Sequence, residues 1–484
     1  MPDPTYIAAI EFVAGSYTSV VSDCLSFNVV RALADPLHEL TMGRALVVLD
    51  NGTAKYSPNN AASPYYGLLK MGTAIRLQAT HSSSTYNLFQ GTVEAYRIDP
   101  VLGGRRVTLE CYDLMRHLKD RSVDTPMLVD YNVSSVFTEV FTRAGLTSAQ
   151  YAIDRVDDTV PFFWVQDRKA VEVMNELLNV GHYYSYVDGG GALRVRSRYF
   201  QIEKSVVASY INDFMGLTYA LNTDTVLNQA RISGQLRRQA TAVQTIAWLR
   251  EIVTIAASSG IGFFLDYVDP DQPAIGAPAN NVVTPVSSTD YYTNTTSDNT
   301  GADRTAQTSV TVTKFGESAI CSLYNGSADA IYVTRFQLRG NSVQLQPAIA
   351  VQSDVASSQT IYGRKTFTLD SPYLGNILYA RDYADYMAQK FADPVDQIAL
   401  TLKNQYPDVL AREVGDLIFI TESETAVNTS LSISEIDHTV SLSRGLEHVL
   451  RLKVYLPQGA SAGNVLILDD PVKGKLDSGR RLGF

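Results

Sequence analysis

Cysteine is scarce in this 484-residue chain, which has three cysteines and six histidines. Cys24, Cys111 and Cys321 are odd in number, far apart and in no metal-binding or redox spacing. The sequence therefore predicts three reduced thiols in the core and argues against a disulfide framework. The histidines also show no ligand spacing, and we expect surface or capping roles for them; they stand at positions 38, 81, 117, 182, 438 and 448.

Long hydrophobic runs are also missing. The most apolar stretch, residues 252–265, is interrupted by Ser258, Ser259 and Gly260, and it falls short of the ~18 apolar residues that a membrane span needs. Residues 1–4 lack the basic start and the apolar run of a signal peptide. We expect no membrane span and assembly in a cytoplasm.

Positive charge is in deficit, with 40 Lys and Arg against 50 Asp and Glu and a net charge of −10. This balance argues against a broad surface that grips nucleic acid. DNA could still slide past such a protein without binding to it.

Catalytic motifs are nearly absent. Residues 459–463 spell a nucleophile elbow, but they precede another strand and not a helix, which is the context that the motif requires. His38 and Glu39 begin a zinc-protease motif that has no second histidine. Residues 260–262 lack the third glycine of a dinucleotide-binding loop and precede a strand.

Glu110 and Asp113 form a carboxylate pair of the kind that a glycosidase uses. Glu110 ends a predicted strand, whereas Asp113 lies in the first turn of a predicted helix, where a carboxylate complements the helix dipole. The structural interpretation is favoured. We therefore predict no catalytic, cofactor-binding or metal-binding residue and no cofactor, and we expect that the protein is not an enzyme.

What the sequence does contain is room for about three or four domains and a composition that favours strands. It has 28 Tyr and many Thr, Val and Ser. We predict a mainly β fold with α+β elements.

The stretch from residue 43 to residue 111 has the clearest pattern. In residues 71–77, Ile75 and Leu77 alternate with polar side chains, as in a half-buried strand. Apolar strands are also predicted at 44–51, 88–98 and 105–111. With three short strands before residue 34, they predict a first β-barrel over residues 1–111, completed by part of residues 206–238.

The order of turn and strand residues in this stretch resembles that of the tail hub, or tail-tip, proteins of long-tailed bacteriophages. The residues that carry the resemblance are Asp50-Asn51, Tyr56-Ser57-Pro58, Ser63-Pro64-Tyr65-Tyr66-Gly67, Gly72, Gly91 and Val107-Thr108-Leu109-Glu110-Cys111.

A small α/β domain is predicted over residues 112–205. Ser134 and Ser135 cap one predicted helix, which Gly145 ends, and Asp167 caps a second one, which Gly181 ends. A hairpin follows, with strands at 183–187 and 193–196. The unit is similar to a small domain of phage hub proteins, although a common helix and hairpin unit has the same pattern.

An inserted β-sandwich of immunoglobulin-like or fibronectin-like type is predicted over residues 239–345. The region is rich in Ser, Thr, Asn and Ala, and five strands are separated by turn residues. Within it, we expect residues 287–308 to form a long loop or a disordered tip.

Residues 346–457 are predicted to hold a helix at 376–391 and a second hub β-barrel, and residues 458–484 an extended C-terminal tail with a strand at 465–470. The second barrel is indicated by an internal repeat, because residues 414–420 repeat the pattern of residues 71–77. An offset of 343 carries Gly72 to Gly415 and aligns further pairs, although chance alignment of short β patterns stays open. These pairs are Gly91 with Ser434, Val93 with Ile436, Val107 with Leu450 and Leu109 with Leu452.

The family resemblance implies a homotrimer at the distal end of the virion tail, where a six-fold tube meets a three-fold tip. Two similar modules per chain support this, because three such chains present six similar surfaces in a pseudo-six-fold ring. It would join the six-fold tail tube, or distal tail protein ring, to a three-fold central fibre or spike, contact the tape measure protein and let DNA pass. We expect acidic side chains on the inward strand faces of both barrels to line the lumen.

Two alternatives stay open. The insert and its Tyr291-Tyr292 loop could bind a host receptor or saccharide on the bacterial surface. The protein could also be a peptidoglycan hydrolase.

Overall fold

The structure, a computed structural model, describes residues 3–34, 41–100, 104–154, 156, 158–221, 223–443, 445–455, 465–466 and 481–482. Strands dominate it, which confirms the prediction of a mainly β protein. Short 3₁₀ turns at Val21–Asp23, Ser148–Gln150, Thr223–Thr225 and Thr305–Gln307 join some of the elements.

Seven strands near the start of the chain form what we call the first module. They lie in the order β3-β4-β7-β6-β5-β1-β2. Alternate side chains of β1 and of β3 to β7 point into one apolar core, as the period-two patterns predict. The strands are β1 (Thr5–Val13), β2 (Ser16–Ser19), β3 (Cys24–Ala32), β4 (Arg44–Asp50), β5 (Ala74–His81), β6 (Ser84–Asp99) and β7 (Arg106–Tyr112).

The long loop between β4 and β5 folds back onto this core. Tyr56 is buried and donates a hydrogen bond to the carboxylate of Asp23 at 2.6 Å. Tyr65 stacks on Phe12 with ring centroids 4.1 Å apart. The aromatic residues of the motif thus fix the loop against the first module.

The next region, over which a small α/β domain is predicted, mixes helices with short sheets. Its elements are α1 (Leu114–Asp120), β8 (Ser122–Val123), β9 (Leu128–Asn132), α2 (Val133–Arg143), β10 (Tyr151–Asp154), β11 (Thr159–Phe163), β12 (Arg168–Lys169), α3 (Ala170–Gly181), β13 (Tyr184–Val187), β14 (Leu193–Arg196) and α4 (Phe200–Glu203).

The predicted helix caps in this region are partly wrong. Asn132 precedes α2 and Lys169 precedes α3, and neither helix start has a side-chain cap, so Ser134 and Asp167 do not cap the helices. The helices begin where strands β9 and β12 end, so strand pairing sets their starts. Gly145 follows α2 at a φ of +87°, as predicted for a helix end.

The strands that follow the α/β region are β15 (Val206–Ile211), β16 (Gly216–Ala220) and β17 (Gln229–Gly234). We expected part of residues 206–238 to complete the first module. Instead, β15 and β16 pair with strands near the end of the chain, and β17 joins a separate three-stranded sheet.

The insert contains a six-stranded and a three-stranded sheet that share one core, and a separate hairpin of β22 and β23. A long strand, β28, pairs with five others, and a three-stranded sheet packs against them. The strands are β18 (Arg237–Gln239), β19 (Gln244–Trp248), β20 (Val253–Ile255), β21 (Gly260–Asp266), β22 (Val268–Asp269), β23 (Gln272–Gly276), β24 (Ala279–Val283), β25 (Tyr291–Asn294), β26 (Thr308–Lys314), β27 (Ser318–Asn325) and β28 (Ile331–Leu345).

The prediction of a long loop or disordered tip at 287–308 is wrong. This segment contains β25, and several of its polar side chains are buried, although residues 297–303 are exposed. Asp290 is buried and accepts two hydrogen bonds from Arg339, at 2.6 and 2.9 Å. Thr293 is buried and pairs with Thr308 at 2.9 Å. Part of this polar composition therefore belongs to a hydrogen-bonded core.

The rest of the chain returns to the body of the protein. Helix α6 begins after Asn376, whose side chain accepts from the backbone of Leu378, and it closely matches the predicted helix at 376–391. The elements are β29 (Ile349–Asp354), α5 (Ala356–Tyr362), β30 (Thr366–Ser371), α6 (Ile377–Lys390), β31 (Gln397–Lys403), α7 (Asp408–Ala411), β32 (Leu417–Glu422), β33 (Val427–Ser441), β34 (Glu447–Tyr455), β35 (Val465–Leu466) and β36 (Arg481–Leu482).

Strands β15, β16 and β31 to β34 form the second module, which has its own core. Both modules belong to one sheet of 13 strands, since β3 pairs with β33. This sheet is open among the described strands, so the two predicted barrels are modules of a continuous sheet here. The short strands β35 and β36 pair in parallel, and residues 467–470 of the predicted tail strand lie outside the described residues.

Candidate assembly site at the junction of the two modules

The two modules have the same strand order. The first runs β3-β4-β7-β6-β5-β1, and the second runs β16-β31-β34-β33-β32-β15. The first five strands of each list keep the same relative directions. Only the sixth differs, because β1 is antiparallel to β5 whereas β15 is parallel to β32.

The glycines that indicate the repeat occupy the same turn. Gly72 donates its backbone N–H to Val93 at 2.8 Å, and Gly415 donates to Ile433 at 2.7 Å. Both glycines have left-handed backbones, with φ of +85° and +78°. A residue with a Cβ is strained in this conformation, which explains why glycine stands at both positions.

A second pair of matching contacts lies at the end of the strand before each turn. The N–H of Asn51 donates to the carbonyl of Arg105 at 2.9 Å, and the N–H of Asn404 donates to the carbonyl of His448 at 3.0 Å. Arg105 and His448 are 343 positions apart, the same offset as the two glycines.

The offset of 343 holds for β5 with β32 and for β7 with β34, but it is wrong for β6 with β33. Since Val93 and Ile433 make the same contact and each precedes a β-bulge, Val93 corresponds to Ile433 and not to Ile436. By the same shift Gly91 corresponds to Leu431 and not to Ser434. The reason is the hairpin between β5 and β6, which is three residues longer than the corresponding hairpin between β32 and β33.

The modules join through strand β3 of the first and the second half of β33. Seven residues of each strand pair, from Ser26 opposite Ser441 to Ala32 opposite Glu435. The amide of Asn28 donates to Asp437 at 2.5 Å and lies 3.1 Å from the hydroxyl of Thr439. The junction is therefore a continuation of the sheet with complementary side chains.

A buried polar chain crosses this junction. The hydroxyl of Tyr6 lies 2.7 Å from Nδ1 of His448, and Nε2 of His448 lies 2.9 Å from Nδ1 of His438. Burial lowers the pKa of His448 to about 3. Burial, with the nearby His448 and Arg31, holds the pKa of His438 well below its ordinary value. Both rings are therefore neutral at pH 7.

The predicted surface or capping roles are wrong for three histidines, because His81, His438 and His448 are buried within strands. His182 is buried too, but it is the C-cap residue of α3, as the capping role predicts. His438 shares the strand period of two with apolar Ile436 and Val440, which is the sequence pattern that could have revealed its burial. His38 lies outside the described residues.

A partly buried ion pair links the modules to the α/β region. Arg31, on the inward face of β3, donates to the carboxylate of Glu413 in the turn that leads to Gly415. The other carboxylate oxygen of Glu413 accepts from the N–H of Gly189 at 3.0 Å. A Cβ at Gly189 would lie 2.1 Å from the carbonyl oxygen of Asn87, so only glycine lets the hairpin approach β6 this closely.

Sequence reasoning missed Arg31 and Glu413. Arg31 follows Phe27 and Val29 at the same strand period, so an arginine at a buried position was visible. Its partner is 382 positions away, and no local pattern identifies it.

The carboxylate pair Glu110 and Asp113 has structural partners. Asp113 is the N-cap of α1 and accepts from the backbone of Met115 at 3.0 Å and of Gly43 at 2.7 Å. Burial raises the pKa of Asp113 to about 7, against these two hydrogen bonds. Glu110 accepts from the hydroxyl of Tyr112 at 2.7 Å and pairs with Arg44. These contacts favour the structural interpretation.

The remaining candidates offer little chemistry. All three cysteines are free and buried, as predicted, and burial raises the pKa of Cys24 and of Cys321 to about 12. His38, Glu39 and residues 459–463 lie outside the described residues. Over the described ranges, no group of three or more His, Cys, Asp or Glu could hold a metal ion. No described helix has the length and apolarity that crossing a bilayer requires.

Only part of the Tyr291-Tyr292 segment of the insert is accessible for binding a ligand. Tyr291 is buried and donates its hydroxyl to the carbonyl of Thr308 at 3.1 Å. Exposed apolar side chains lie instead on the outer face of the three-stranded sheet, where Phe264 is opposite Ile320 and Tyr324 lies on the same face.

No protein-family model and no curated protein matches the sequence. Solved structures match over nearly the whole chain. The 43 kDa tail protein of prophage MuSo2 from Shewanella oneidensis aligns over 94% of this chain and 99% of its own, with a TM-score of 0.52 and 9% identity. The tail protein from Neisseria meningitidis MC58 aligns over 93% and 96%, with a TM-score of 0.51 and 10% identity.

At this identity the similarity establishes the fold. The chain has the fold of phage tail proteins, and the resemblance inferred from its motifs is confirmed at that level.

Proposed function

We propose that this chain is the structural hub of a phage tail, a protein of the distal end of the virion that catalyses nothing. Three copies form a ring of six modules. One side of the ring meets the six-fold tail tube or the distal tail protein ring, and the other holds the three-fold central fibre or spike. The tape measure protein ends at the ring, and DNA passes through it without specific binding.

The observation that carries this proposal is the duplicated module. Two copies of one strand order, with the same glycine turn at Gly72 and at Gly415, lie side by side in one sheet. A chain with two such units can present six similar surfaces from three copies. The net charge of −10 supports a lumen through which DNA slides.

The mass of the purified assembly tests the ring. Light scattering should give three times 53.1 kDa, about 160 kDa. A single chain at all concentrations, or a two-fold assembly, would contradict the proposal.

A second candidate function is binding of a host receptor or saccharide through the insert. The exposed face with Phe264, Ile320 and Tyr324 favours it, because exposed aromatic and apolar side chains are typical of recognition surfaces. Arg237 pairs with Leu345 at the base of the insert, so residues 239–345 can be replaced by a short linker between adjacent ends.

This deletion distinguishes the two functions. If the insert is peripheral to assembly, the variant should still give the three-chain mass. If the insert also recognises the host, binding to whole cells should be lost, whereas unchanged cell binding would reject that role. A peptidoglycan hydrolase is a lesser alternative, and a clear band at 53.1 kDa in a murein zymogram would overturn the structural proposal.

A further inference from the structure

One strand edge is paired in the second module, whereas the corresponding edge in the first module has no partner among the described strands. In the second module, the second half of β33 pairs with β34 on one side and with β3 on the other. In the first module, the corresponding half of β6 pairs with β7 alone, as far as the described strands show. The edge of β33 that β3 covers is therefore open at the corresponding edge of β6.

The open edge of the second module is strand β16, the counterpart of β3. Since Val47 and Leu400 occupy the same position, their partners Phe27 and Leu217 correspond. Counting along the strands, Tyr219 corresponds to Val29 and Leu221 to Arg31. Within the described chain, β16 has β31 as its one strand partner.

The side chains on this edge are apolar and exposed. Tyr219 is 40% exposed and Leu221 is 54% exposed, whereas Val29 and Arg31 at the corresponding positions are buried.

The open edge of the first module lies along Ala95 to Asp99 in β6. With Val93 corresponding to Ile433, Tyr96 corresponds to Ile436 and Ile98 to His438. Ile436 and His438 are completely buried at the internal junction, whereas Tyr96 and Ile98 are only partly buried. Both open edges thus carry apolar side chains at the positions that are covered within the chain.

We propose that β16 of one copy pairs antiparallel with the second half of β6 of the next copy. Tyr219 then lies opposite Ile98 and Leu221 opposite Tyr96, in the register by which Val29 lies opposite His438 and Arg31 opposite Ile436 within the chain. This inference rests on the proposed ring and names the two strands that close it.

A second copy of this chain is the partner that fits. Each chain has one edge of each kind, so association is head to tail and leaves neither of these two edges free once the ring closes. Open strand edges pair readily with other strands, and closure removes this hazard. If the external junction has the geometry of the internal one, the rotation from module to module is constant, as a pseudo-six-fold ring requires.

Paired cysteines test the register in the full-length protein. The double variant Thr218→Cys with Asp99→Cys places thiols opposite each other across the proposed junction. Mild oxidation should give covalent species up to three chains on a denaturing gel without reductant. The native cysteines are buried, so they stay out of this reaction.

Two control variants set the scale. Asn28→Cys with Thr439→Cys is the equivalent pair inside the chain, where these side chains lie 3.1 Å apart, and it should close within one chain. Thr218→Cys with Ile98→Cys shifts the register by one residue and directs the two thiols to opposite faces. Its yield should be at least tenfold lower than that of Thr218→Cys with Asp99→Cys.

The outcomes separate this inference from the proposed function. A three-chain mass without cross-linking at 218 and 99, while the internal control closes, overturns the edge pairing and leaves the ring intact. A single-chain mass without cross-linking overturns both. Equal yields in the matched and shifted pairs overturn the register. If the variants fail to fold, hydrogen exchange of the unmodified protein decides, since residues 95–99 and 216–220 should become protected on assembly and unprotected amides would overturn the pairing.

Discussion

Acidification should loosen the junction between the modules. The folded protein holds His438 and His448 neutral in the buried chain with Tyr6, because burial lowers the pKa of both rings. The unfolded chain takes up protons at both rings below the ordinary histidine pKa of about 6.5. It therefore binds more protons than the folded protein, and the free energy of unfolding falls as the pH falls from about 6.5 toward 3.

The size of the effect follows from these pKa values. Between pH 7 and pH 5, an unfolded histidine gains about 2 kcal/mol from protonation that the folded ring cannot match, so the two rings together lose about 4 kcal/mol of stability. Asp113 acts in the opposite direction, because burial raises its pKa to about 7 and the folded protein gains a proton there. The comparison must therefore be between variants and not between pH values alone.

His438→Gln isolates one ring. We expect this variant to lose about 2 kcal/mol less than the unmodified protein between pH 7 and pH 5, whatever its stability at pH 7. Tyr6→Phe is the matched control, since it removes one hydrogen bond of the same chain, about 1 kcal/mol, and keeps both titrating rings. Its pH dependence should equal that of the unmodified protein.

Urea unfolding followed by far-ultraviolet circular dichroism gives these free energies. Both tryptophans, Trp164 and Trp248, lie outside the modules, so hydrogen exchange of residues 427–455 must assign the transition. Equal losses in the unmodified protein and in His438→Gln would refute the reasoning, because they would show that His438 titrates alike in the folded and unfolded states.

Two further predictions concern the contacts that fix the modules. Arg31→Met should destabilise the protein by about 1–3 kcal/mol, because it removes the cation from Glu413, whose side chain is 30% exposed. Adding Glu413→Gln should restore part of the loss in urea unfolding, and a single variant as stable as the double variant would contradict the pairing. Gly72→Ala should cost about 1–2 kcal/mol from its left-handed backbone, and Gly415→Ala should cost more, since its Cβ would also lie 2.7 Å from Phe200. Gly216→Ala, in open space without a left-handed φ, is the control, and an equal melting temperature for all three variants would reject the strain argument.

Sequence patterns predict the strands of the modules well because each strand buries one face. The period of two at Ile75 and Leu77 is the direct imprint of that geometry, and the structure buries both residues. The repeat is visible for the same reason, since the spacing from the glycine turn to the last strand, β7 or β34, is the same in both modules. The repeat misaligns β6 with β33 because the hairpins before them differ in length. The pattern of one strand does not encode its pairing register.

The errors share a physical cause, which is burial created by distant parts of the chain. His438 is polar by type but lies in the sheet between β34 and β3, and β3 is some 400 positions earlier in the sequence. Asp290 belongs to a polar segment that resembles a loop, yet Arg339 satisfies its charge inside the insert. Composition describes what a residue prefers in water, whereas these residues are paired by long-range contacts that composition does not record.

The two junctions of the proposed ring differ in chemistry for a physical reason. Within the chain, covalent linkage holds the modules together, so the junction tolerates the desolvation of Arg31 and His438. Between chains, the junction must itself supply the free energy of association. Burying Tyr219 and Leu221 against Tyr96 and Ile98 provides it, at up to about 1.5–3 kcal/mol for each large side chain. At the open edges, apolar Leu221 and Ile98 therefore take the positions that Arg31 and His438 hold at the covered ones, as head-to-tail assembly of a duplicated module requires.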